Sequence, residues 1–305
     1  MRWNRRVSWR TSGSTCATAV PPERIIAEGV EVALGERLLD ARPMDGGCIG
    51  EVYRAELSDG TSVVAKVDRA GESHLEREAY MLRYLREKSG LPVPEVYHSS
   101  EALVLMEFVS GGGNVSEAHA HAAELLAALH GVSSDAYGHE RDTLIGSLSQ
   151  PNPWTSSWIE FFRDQRLLYL AEVASEAGRL PAHLRGRVEG LAGRLGEILE
   201  EPERPALIHG DVWGGNVLAE GDRITAFLDP AIYHADPEIE LAYISLFGTF
   251  GEPFFRRYAA SRPLRPGFFE ERRHLYGLYP LLVHVYFFGG HYVGSVEGTL
   301  DRLGF

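Results

Sequence analysis

The most constraining feature of the 305-residue sequence is a polar loop between two apolar segments. Residues 207–218 read LIHGDVWGGNVL, and a further apolar segment, residues 224–228, ends directly before Asp229. Short apolar runs around such a loop predict strands, so Asp211, Asn216 and Asp229 can converge on one point. Two carboxylates and an amide in that arrangement can hold a divalent cation against phosphate and orient an attacking hydroxyl. Each residue alone would more often cap a turn, so the combination carries the interpretation.

Residues 21–110 predict a small lobe that is built mainly from antiparallel strands. We expect strands at residues 39–44, 51–57, 61–67, 95–98 and 103–109, a helix before the first strand, and an amphipathic helix at 73–88. Lys66 lies in the third strand among apolar neighbours, where a charged side chain is costly unless it meets an anion. A solubilising lysine on an edge strand is the alternative. The glycine-rich turn at 45–50 would let the backbone approach such an anion closely.

Residues 111–305 predict a second lobe that is mainly helical. The glycine run at 111–113 marks the expected boundary between the lobes. Helices are predicted at residues 116–130, 158–177, 184–200, 237–247, 254–260 and 268–288. The chain is therefore expected to have an α+β fold of two lobes with a cleft between them.

Charge and cysteine content argue against several classes of protein. The chain has 30 Lys and Arg against 43 Asp and Glu, a formal net charge of −13, which disfavours nucleic acid as a partner. Two cysteines, Cys16 and Cys48, cannot build a disulfide framework, and no apolar run is long enough to span a membrane, so a cytoplasmic protein is expected. Residues 1–20 are expected to be a disordered tail, or sequence upstream of a true start near Val20.

The spacing of His209, Asp211 and Asn216 resembles the His-x-Asp-x-x-x-x-Asn catalytic loop of the protein-kinase superfamily. The resemblance implies a protein-kinase-like bilobal fold, with an antiparallel sheet in the small N-terminal lobe and a mainly helical C-terminal lobe. It implies ATP and Mg²⁺ as cofactors, Asp211 as the catalytic base, and Asn216 and Asp229 as metal ligands.

The same resemblance assigns a nucleotide site to the N-terminal lobe. Lys66 would hold the ATP phosphates and pair with Glu78 on the amphipathic helix, with Glu76 as the nearby alternative. The residues that would contact ATP are Gly46, Gly47, Cys48, Ile49, Lys66, Glu78 and, in the hinge that would hold adenine, Met106, Glu107, Phe108 and Val109.

Several further segments are similar to signatures of the fructosamine (ketosamine) 3-kinase family. They are GGCI at 46–49, DTLIG at 142–146, QPNPW at 150–154, WIEFF at 158–162, HGDVWGGN at 209–216, DPAIY at 229–233 and LFGTF at 246–250. Membership would imply ATP-dependent phosphorylation of the sugar 3-hydroxyl of ketosamines, with small glycated amines or glycated proteins as acceptors. Two departures, Thr143-Leu144 and Gly50, bear on substrate preference and leave the catalytic set intact.

Aromatic residues near the catalytic loop suit a sugar acceptor, because ring faces pack against C–H surfaces of the sugar. Trp213, two residues after the base, is the first choice, and Tyr233, His284 and Trp154 are weaker ones. Glu240 could contact the cationic amine of a ketosamine, although its helix is otherwise expected to face the core.

Other readings of the sequence remain open. Aminoglycoside or choline-type phosphotransferases share the His-Gly-Asp loop, so one alternative is a kinase with a different acceptor. The other is a pseudokinase, which would bind the nucleotide without catalysing phosphoryl transfer. Cys48, in the turn expected to cover the ATP phosphates, is either an oxidation-sensitive thiol or a small residue chosen for fit. If it is reactive, a Cys48 disulfide between two chains would give a redox-linked dimer; otherwise a monomer is expected.

Overall fold

A five-stranded antiparallel sheet forms the N-terminal part of the structure, a computed structural model that describes residues 20–44, 51–69 and 74–305. The strands are β1 (Leu38–Pro43), β2 (Glu51–Leu57), β3 (Ser62–Val67), β4 (Val96–Ser99) and β5 (Leu103–Glu107), in the spatial order β1-β2-β3-β5-β4. Helix α1 (Pro22–Leu34) packs on one face of this sheet, and helix α2 (Leu75–Lys88) packs against β4 and β5.

Strand alternation decides where Lys66 points. Val63, Ala65 and Val67 are buried in a small core with Ile26 of α1, so the intervening side chains of β3 project from the opposite face of the sheet. Lys66 lies opposite Val52 of β2 and Val104 of β5. Because β3 is flanked on both sides, the edge-strand explanation for this lysine is wrong.

The C-terminal part is mainly helical. Its helices are α3 (His119–Leu129), α4 (Trp158–Phe162), α5 (Tyr169–Glu176), α6 (Ala182–Ala192), α7 (Leu195–Ile198), α8 (Glu238–Phe247), α9 (Glu252–Ser261), α10 (Arg273–Phe288) and α11 (His291–Leu303), with π-helical turns at Arg163–Leu168 and Phe268–Arg272. Three short antiparallel pairs join β6 (Thr143–Ile145) to β7 (Leu148–Gln150), β8 (Ala206–Ile208) to β11 (Tyr233–Ala235), and β9 (Val217–Glu220) to β10 (Arg223–Phe227).

The helix expected at 158–177 is interrupted by the first π-helical turn. Arg166 in this turn is fully buried and donates to the Pro151 carbonyl oxygen at 2.8 Å and to Asn152 Oδ1 at 2.6 Å. Apolar periodicity cannot reveal such a turn, since the side chain that it carries into the interior is charged. Arg166 thereby holds the segment that follows the β6–β7 hairpin. The hairpin itself was not predicted.

Helix α11 was also missed, although its sequence contains the signal. Tyr292, Val296 and Leu300 recur every four residues and are buried against the rest of the fold. The lobe boundary placed at 110/111 stays a prediction; the chain passes there from β5 to α3, and Gly112 pairs with Ala219 of β9. Among the described residues, no helix is long and apolar enough to cross a bilayer.

Helix α2 is anchored to the C-terminal part by a cluster of aromatic rings. The hydroxyl of Tyr80 in α2 lies 2.7 Å from Nε2 of His139. The Tyr84 ring contacts the His139 ring edge-on, with 4.6 Å between the centroids. His234 stacks on His139 at 6.0 Å between centroids, and the half-exposed Trp154 contacts both rings, at 6.4 Å from His139 and 5.8 Å from His234. Burial lowers the pKa of His139 from 6.5 to about 4 and lowers the pKa of His234 as well.

We expect this cluster to make the fold sensitive to acid. A histidine that is neutral when folded but takes up a proton when unfolded favours the unfolded chain as the pH falls from about 6.5 towards about 4. In His139→Phe, the drop in Tm between about pH 6.5 and about pH 4 should therefore be smaller by a few degrees than in the wild type. Calorimetry at several pH values measures this drop. The exposed His183→Phe is the control, and an equal slope in both variants would contradict the assignment.

Candidate active site

Hydrogen bonds to backbone groups of His209 and Gly210 fix the shape of the loop between β8 and β9. The Ala231 N–H donates to the His209 carbonyl oxygen at 2.7 Å, and the Gly210 N–H donates to Glu240 Oε1 at 2.6 Å. Gly210 has a φ of +87°, and a Cβ atom there would lie 2.1 Å from the Ala231 carbonyl oxygen. Only glycine fits this position, for both conformational and steric reasons.

Glu240 has a different role from the one considered in the sequence analysis. Its side chain is buried, and it accepts from the Gly210 backbone and lies 2.8 Å from Nε2 of His130. His130 is held in turn by the Tyr258 hydroxyl at 2.7 Å. Both carboxylate oxygens of Glu240 are hydrogen-bonded inside the core. The interpretation that Glu240 contacts the amine of an acceptor is therefore wrong.

We expect Gly210→Ala to lower the free energy of unfolding by more than about 2 kcal/mol, since both the positive φ and the clash with the Ala231 carbonyl oxygen must be relieved. Gly214→Ala is the matched control, because a Cβ at Gly214 meets nothing within 4 Å. Urea denaturation of the two variants checks the prediction. Equal stability would show that the loop relaxes without cost.

Asp211 is positioned by two donors, one to each carboxylate oxygen. Asn216 donates from Nδ2 to Oδ2 at 2.8 Å, and the hydroxyl of Tyr243 on α8 donates to Oδ1. Burial raises the pKa of Asp211 to about 7; the nearby Asp229 also raises it, and the two hydrogen bonds oppose the rise. The side chain lines the cleft described below, so its remaining lone pairs can meet an acceptor hydroxyl.

Lys66 forms an ion-paired triad with two carboxylates. Its Nζ lies 2.5 Å from Glu78 Oε1 and 2.5 Å from Asp229 Oδ1. Burial by itself would lower the pKa of Lys66, but the charges of Asp229 and Glu78 outweigh it and raise the pKa. Burial raises the pKa of Glu78, whereas the Lys66 charge more than offsets burial at Asp229 and lowers its pKa. The structure therefore pairs Lys66 with Glu78 rather than with Glu76.

Asn216 and Asp229 have the chemistry of magnesium ligands. The Asn216 amide nitrogen donates to both the carbonyl oxygen and Oδ2 of Asp211, and no hydrogen bond from a described residue reaches its Oδ1. The Asp229 side chain remains 37% exposed beside Lys66. An amide oxygen and a carboxylate next to a cleft are hard ligands that suit a cation shared with phosphate oxygens.

These residues share one cleft of about 510 Å³ between the sheet and the helical part. Of the predicted residues that the structure describes, those lining it are Lys66, Glu78, Met106, Glu107, Phe108, Val109, Asp211, Trp213, Asn216 and Asp229. Val64 of β3 and Leu218 of β9 add apolar surface from the two parts of the structure, which suits a flat aromatic base. Gly46, Gly47, Cys48 and Ile49 lie outside the described residues, so their predicted contacts with ATP stay predictions.

The aromatic residues predicted for the acceptor are not all in the cleft. Trp213 lines it and is 42% exposed. Tyr233 is buried in the core with the Arg166 guanidinium 3.9 Å from its ring centroid, and a direct contact with the acceptor is wrong for it in this structure. His284 is likewise absent from the cleft wall; its Nδ1 pairs with the Pro280 carbonyl oxygen and its ring packs on Phe247 at 4.9 Å.

The β6–β7 hairpin forms a wall of the cleft that was not predicted, although residues 142–146 were recognised as part of a family signature. Leu144 and Gly146 line the cleft there, and Gly146 has a φ of +57° with the Phe287 ring against it. A three-residue strand such as β6 has too little alternation to be predicted, but the Ile-Gly-Ser turn after it was a readable signal.

The model of the fructosamine kinase family matches residues 24–304 of this chain. The chain belongs to the fructosamine kinase family. A probable ketoamine kinase of Synechocystis sp. is 34% identical, with 92% of this chain and 96% of that protein covered. The chloroplastic protein-ribulosamine 3-kinase of Arabidopsis thaliana is 32% identical, with 84% of this chain and 80% of that protein covered.

Solved structures agree with this assignment. A Thermobifida fusca protein described as a candidate fructosamine-3-kinase superposes with a TM-score of 0.81 at 32% identity, covering 91% of this chain and 97% of its own. An aminoglycoside phosphotransferase in complex with AMP-PNP and hygromycin B gives a TM-score of 0.65 at 18% identity, covering 91% and 98%, which shows the shared fold alone. This fructosamine kinase family member is thus a phosphotransferase with a protein-kinase-like α+β fold, as expected, and acts on ketoamines.

Proposed function

We propose that this fructosamine kinase family member transfers the γ-phosphoryl group of ATP to the sugar 3-hydroxyl of a ketosamine, with Mg²⁺ held by Asn216 and Asp229. The observation that carries the proposal is the convergence of Lys66, Asp211, Asn216 and Asp229 on one cleft in a member of this family. The name of the Arabidopsis thaliana relative, a protein-ribulosamine 3-kinase, supports the choice of hydroxyl. Physiological acceptors would be small glycated amines or glycated proteins, and their removal by phosphorylation would serve deglycation.

The chain's own residues divide the work of phosphoryl transfer. Backbone groups at 106–109 would hold adenine, and Lys66, kept in place by Glu78, would contact the phosphates. The metal would neutralise charge on the phosphate oxygens. Asp211 would accept a hydrogen bond from the acceptor hydroxyl and so orient it in line with the γ-phosphorus. It would take the hydroxyl proton as the new O–P bond forms and the bond between the γ-phosphorus and the bridging oxygen breaks, which releases ADP.

Trp213 would provide the main acceptor contact. Its ring lies at the rim of the cleft, two residues from Asp211, and a half-exposed indole can pack on the C–H face of a sugar. Predicted roles for the glycine-rich turn, including the reactive Cys48 and a redox-linked dimer, remain proposals.

A panel of acceptors tests this function. ADP release is measured with ATP, Mg²⁺ and, in turn, a fructosamine, a ribulosamine, an aminoglycoside and choline, and the phosphorylated carbon is located by NMR. We expect turnover with the two ketosamines and a product phosphorylated at the 3-hydroxyl. Turnover with the aminoglycoside or choline alone would contradict the proposed acceptor, and ATP binding without turnover would favour a pseudokinase.

A further inference from the structure

We propose that Tyr243 is a positioning residue for the catalytic base, and that its hydroxyl fixes the orientation in which the Asp211 carboxylate receives the acceptor hydroxyl. This inference rests on the proposed function. Tyr243 donates to Oδ1 of Asp211, and Asn216 donates to Oδ2 at 2.8 Å, so the two bonds constrain rotation of the carboxylate. A carboxylate held by one donor alone would retain that rotation.

Helix α8 and the residues after it contact three successive residues of the catalytic loop. Glu240 accepts from the Gly210 N–H, Tyr243 donates to Asp211, and Thr249 donates from Oγ1 to the Val212 carbonyl oxygen at 3.0 Å. Glu240 and Tyr243 are three residues apart, so they project from the same face of the helix. Tyr243 therefore belongs to the surface that shapes this loop.

The helix that carries Tyr243 is itself firmly anchored. At its first residue, Glu238 accepts from Arg272 Nε at 2.6 Å and also from Arg265. Helix α8 ends at Phe247 and is capped by Gly248, whose φ of +62° is the left-handed conformation that terminates helices. A donor on an anchored helix can set the angle of a side chain on a loop.

The ring of Tyr243 has little freedom to move. It is 5% exposed and packs on Phe247 at 4.8 Å between centroids, and Phe247 packs on His284 at 4.9 Å. A buried hydroxyl at this place is costly unless it is bonded, which favours retention of the bond to Asp211. His284 thus supports the base indirectly, through two rings, instead of contacting the acceptor.

The Asp211 carboxylate still has room for substrate. Each carboxylate oxygen has two lone-pair positions. Tyr243 occupies one position on Oδ1, and Asn216 occupies one position on Oδ2. Since Asp211 lines the cleft, an acceptor hydroxyl can use a remaining position. Tyr243 therefore acts through Asp211 and has no need to touch the substrate.

The test is the substitution Tyr243→Phe, which removes the donor and keeps the ring. We expect kcat with a fructosamine to fall about 10- to 100-fold, because a misoriented base lowers the fraction of productive complexes. KM for ATP and for the acceptor should stay within about twofold, because neither ground-state contact is lost. Tyr276→Phe is the control: it removes a buried tyrosine hydroxyl that donates to Asp236 at 2.7 Å and accepts from Trp158 Nε1 at 2.9 Å, outside the cleft.

Both variants should fold with a lowered Tm, and only Tyr243→Phe should lose kcat. An unchanged kcat in Tyr243→Phe would overturn the inference, as would an equal loss of kcat in Tyr276→Phe. The proposed function would stand in either case, provided that the wild type phosphorylates a ketosamine. A wild type that phosphorylates no acceptor would overturn the proposed function, and the role of Tyr243 with it.

Discussion

Asp211→Asn should reduce kcat by about 10²- to 10⁴-fold while the affinity for ATP stays close to that of the wild type. The carboxylate is the group that can accept the proton of the acceptor hydroxyl, whereas Lys66 and the hinge residues would bind the nucleotide. Steady-state kinetics with a fructosamine, together with calorimetric titration of ATP in the presence of Mg²⁺, measures the two quantities separately.

The substitution is nearly isosteric, so a folding defect is not expected to mimic the result. The oxygen of the new asparagine can accept from Asn216 Nδ2 as the carboxylate does, and its amide nitrogen can donate to the Tyr243 hydroxyl, so both contacts are kept and only the one to Tyr243 is reversed in direction. Circular dichroism and Tm should therefore match the wild type. Turnover within about tenfold of the wild-type rate would contradict the assignment of Asp211 as the base.

Asp229→Asn should weaken Mg²⁺-dependent ATP binding by about 10- to 100-fold or more, and should lower kcat as well. The change removes the charge of a proposed metal ligand and one of the two carboxylates that pair with Lys66. Asparagine is preferred to alanine here, because Asp229 has a φ of +49°, a left-handed conformation that asparagine tolerates better.

Titration of ATP at increasing Mg²⁺ concentrations measures this effect. High Mg²⁺ should partly restore binding in Asp229→Asn if the lost group is a ligand. Asp211→Asn is the control, since it makes the same chemical change at the other carboxylate and should leave the Mg²⁺ dependence intact. An unchanged Mg²⁺ dependence in Asp229→Asn would show that Asp229 serves only as the partner of Lys66.

Local sequence patterns were enough to predict the catalytic set that we propose for this family member. The loop at 209–216 and the strand that ends before Asp229 were predictable, because apolar runs fix where the chain enters and leaves a tight turn. Lys66 was predictable for the related reason that a lysine in an apolar strand needs an anionic partner. The structure brings these residues together on one cleft, and the expected partner Glu78 is at 2.5 Å.

Tertiary packing decided the contacts between elements that are distant in the chain. Whether Glu240 meets a substrate or the Gly210 N–H depends on which face of α8 turns towards the loop, and a helix with seven buried residues carries almost no amphipathic signal. Tyr233 was predicted to contact the acceptor because it is an aromatic residue near the catalytic loop, but strand pairing with Ile208 directs its ring to the buried Arg166. The proposed catalytic residues could be inferred from the sequence because each lies in a local sequence pattern, whereas the residues that orient them depend on how the helices pack.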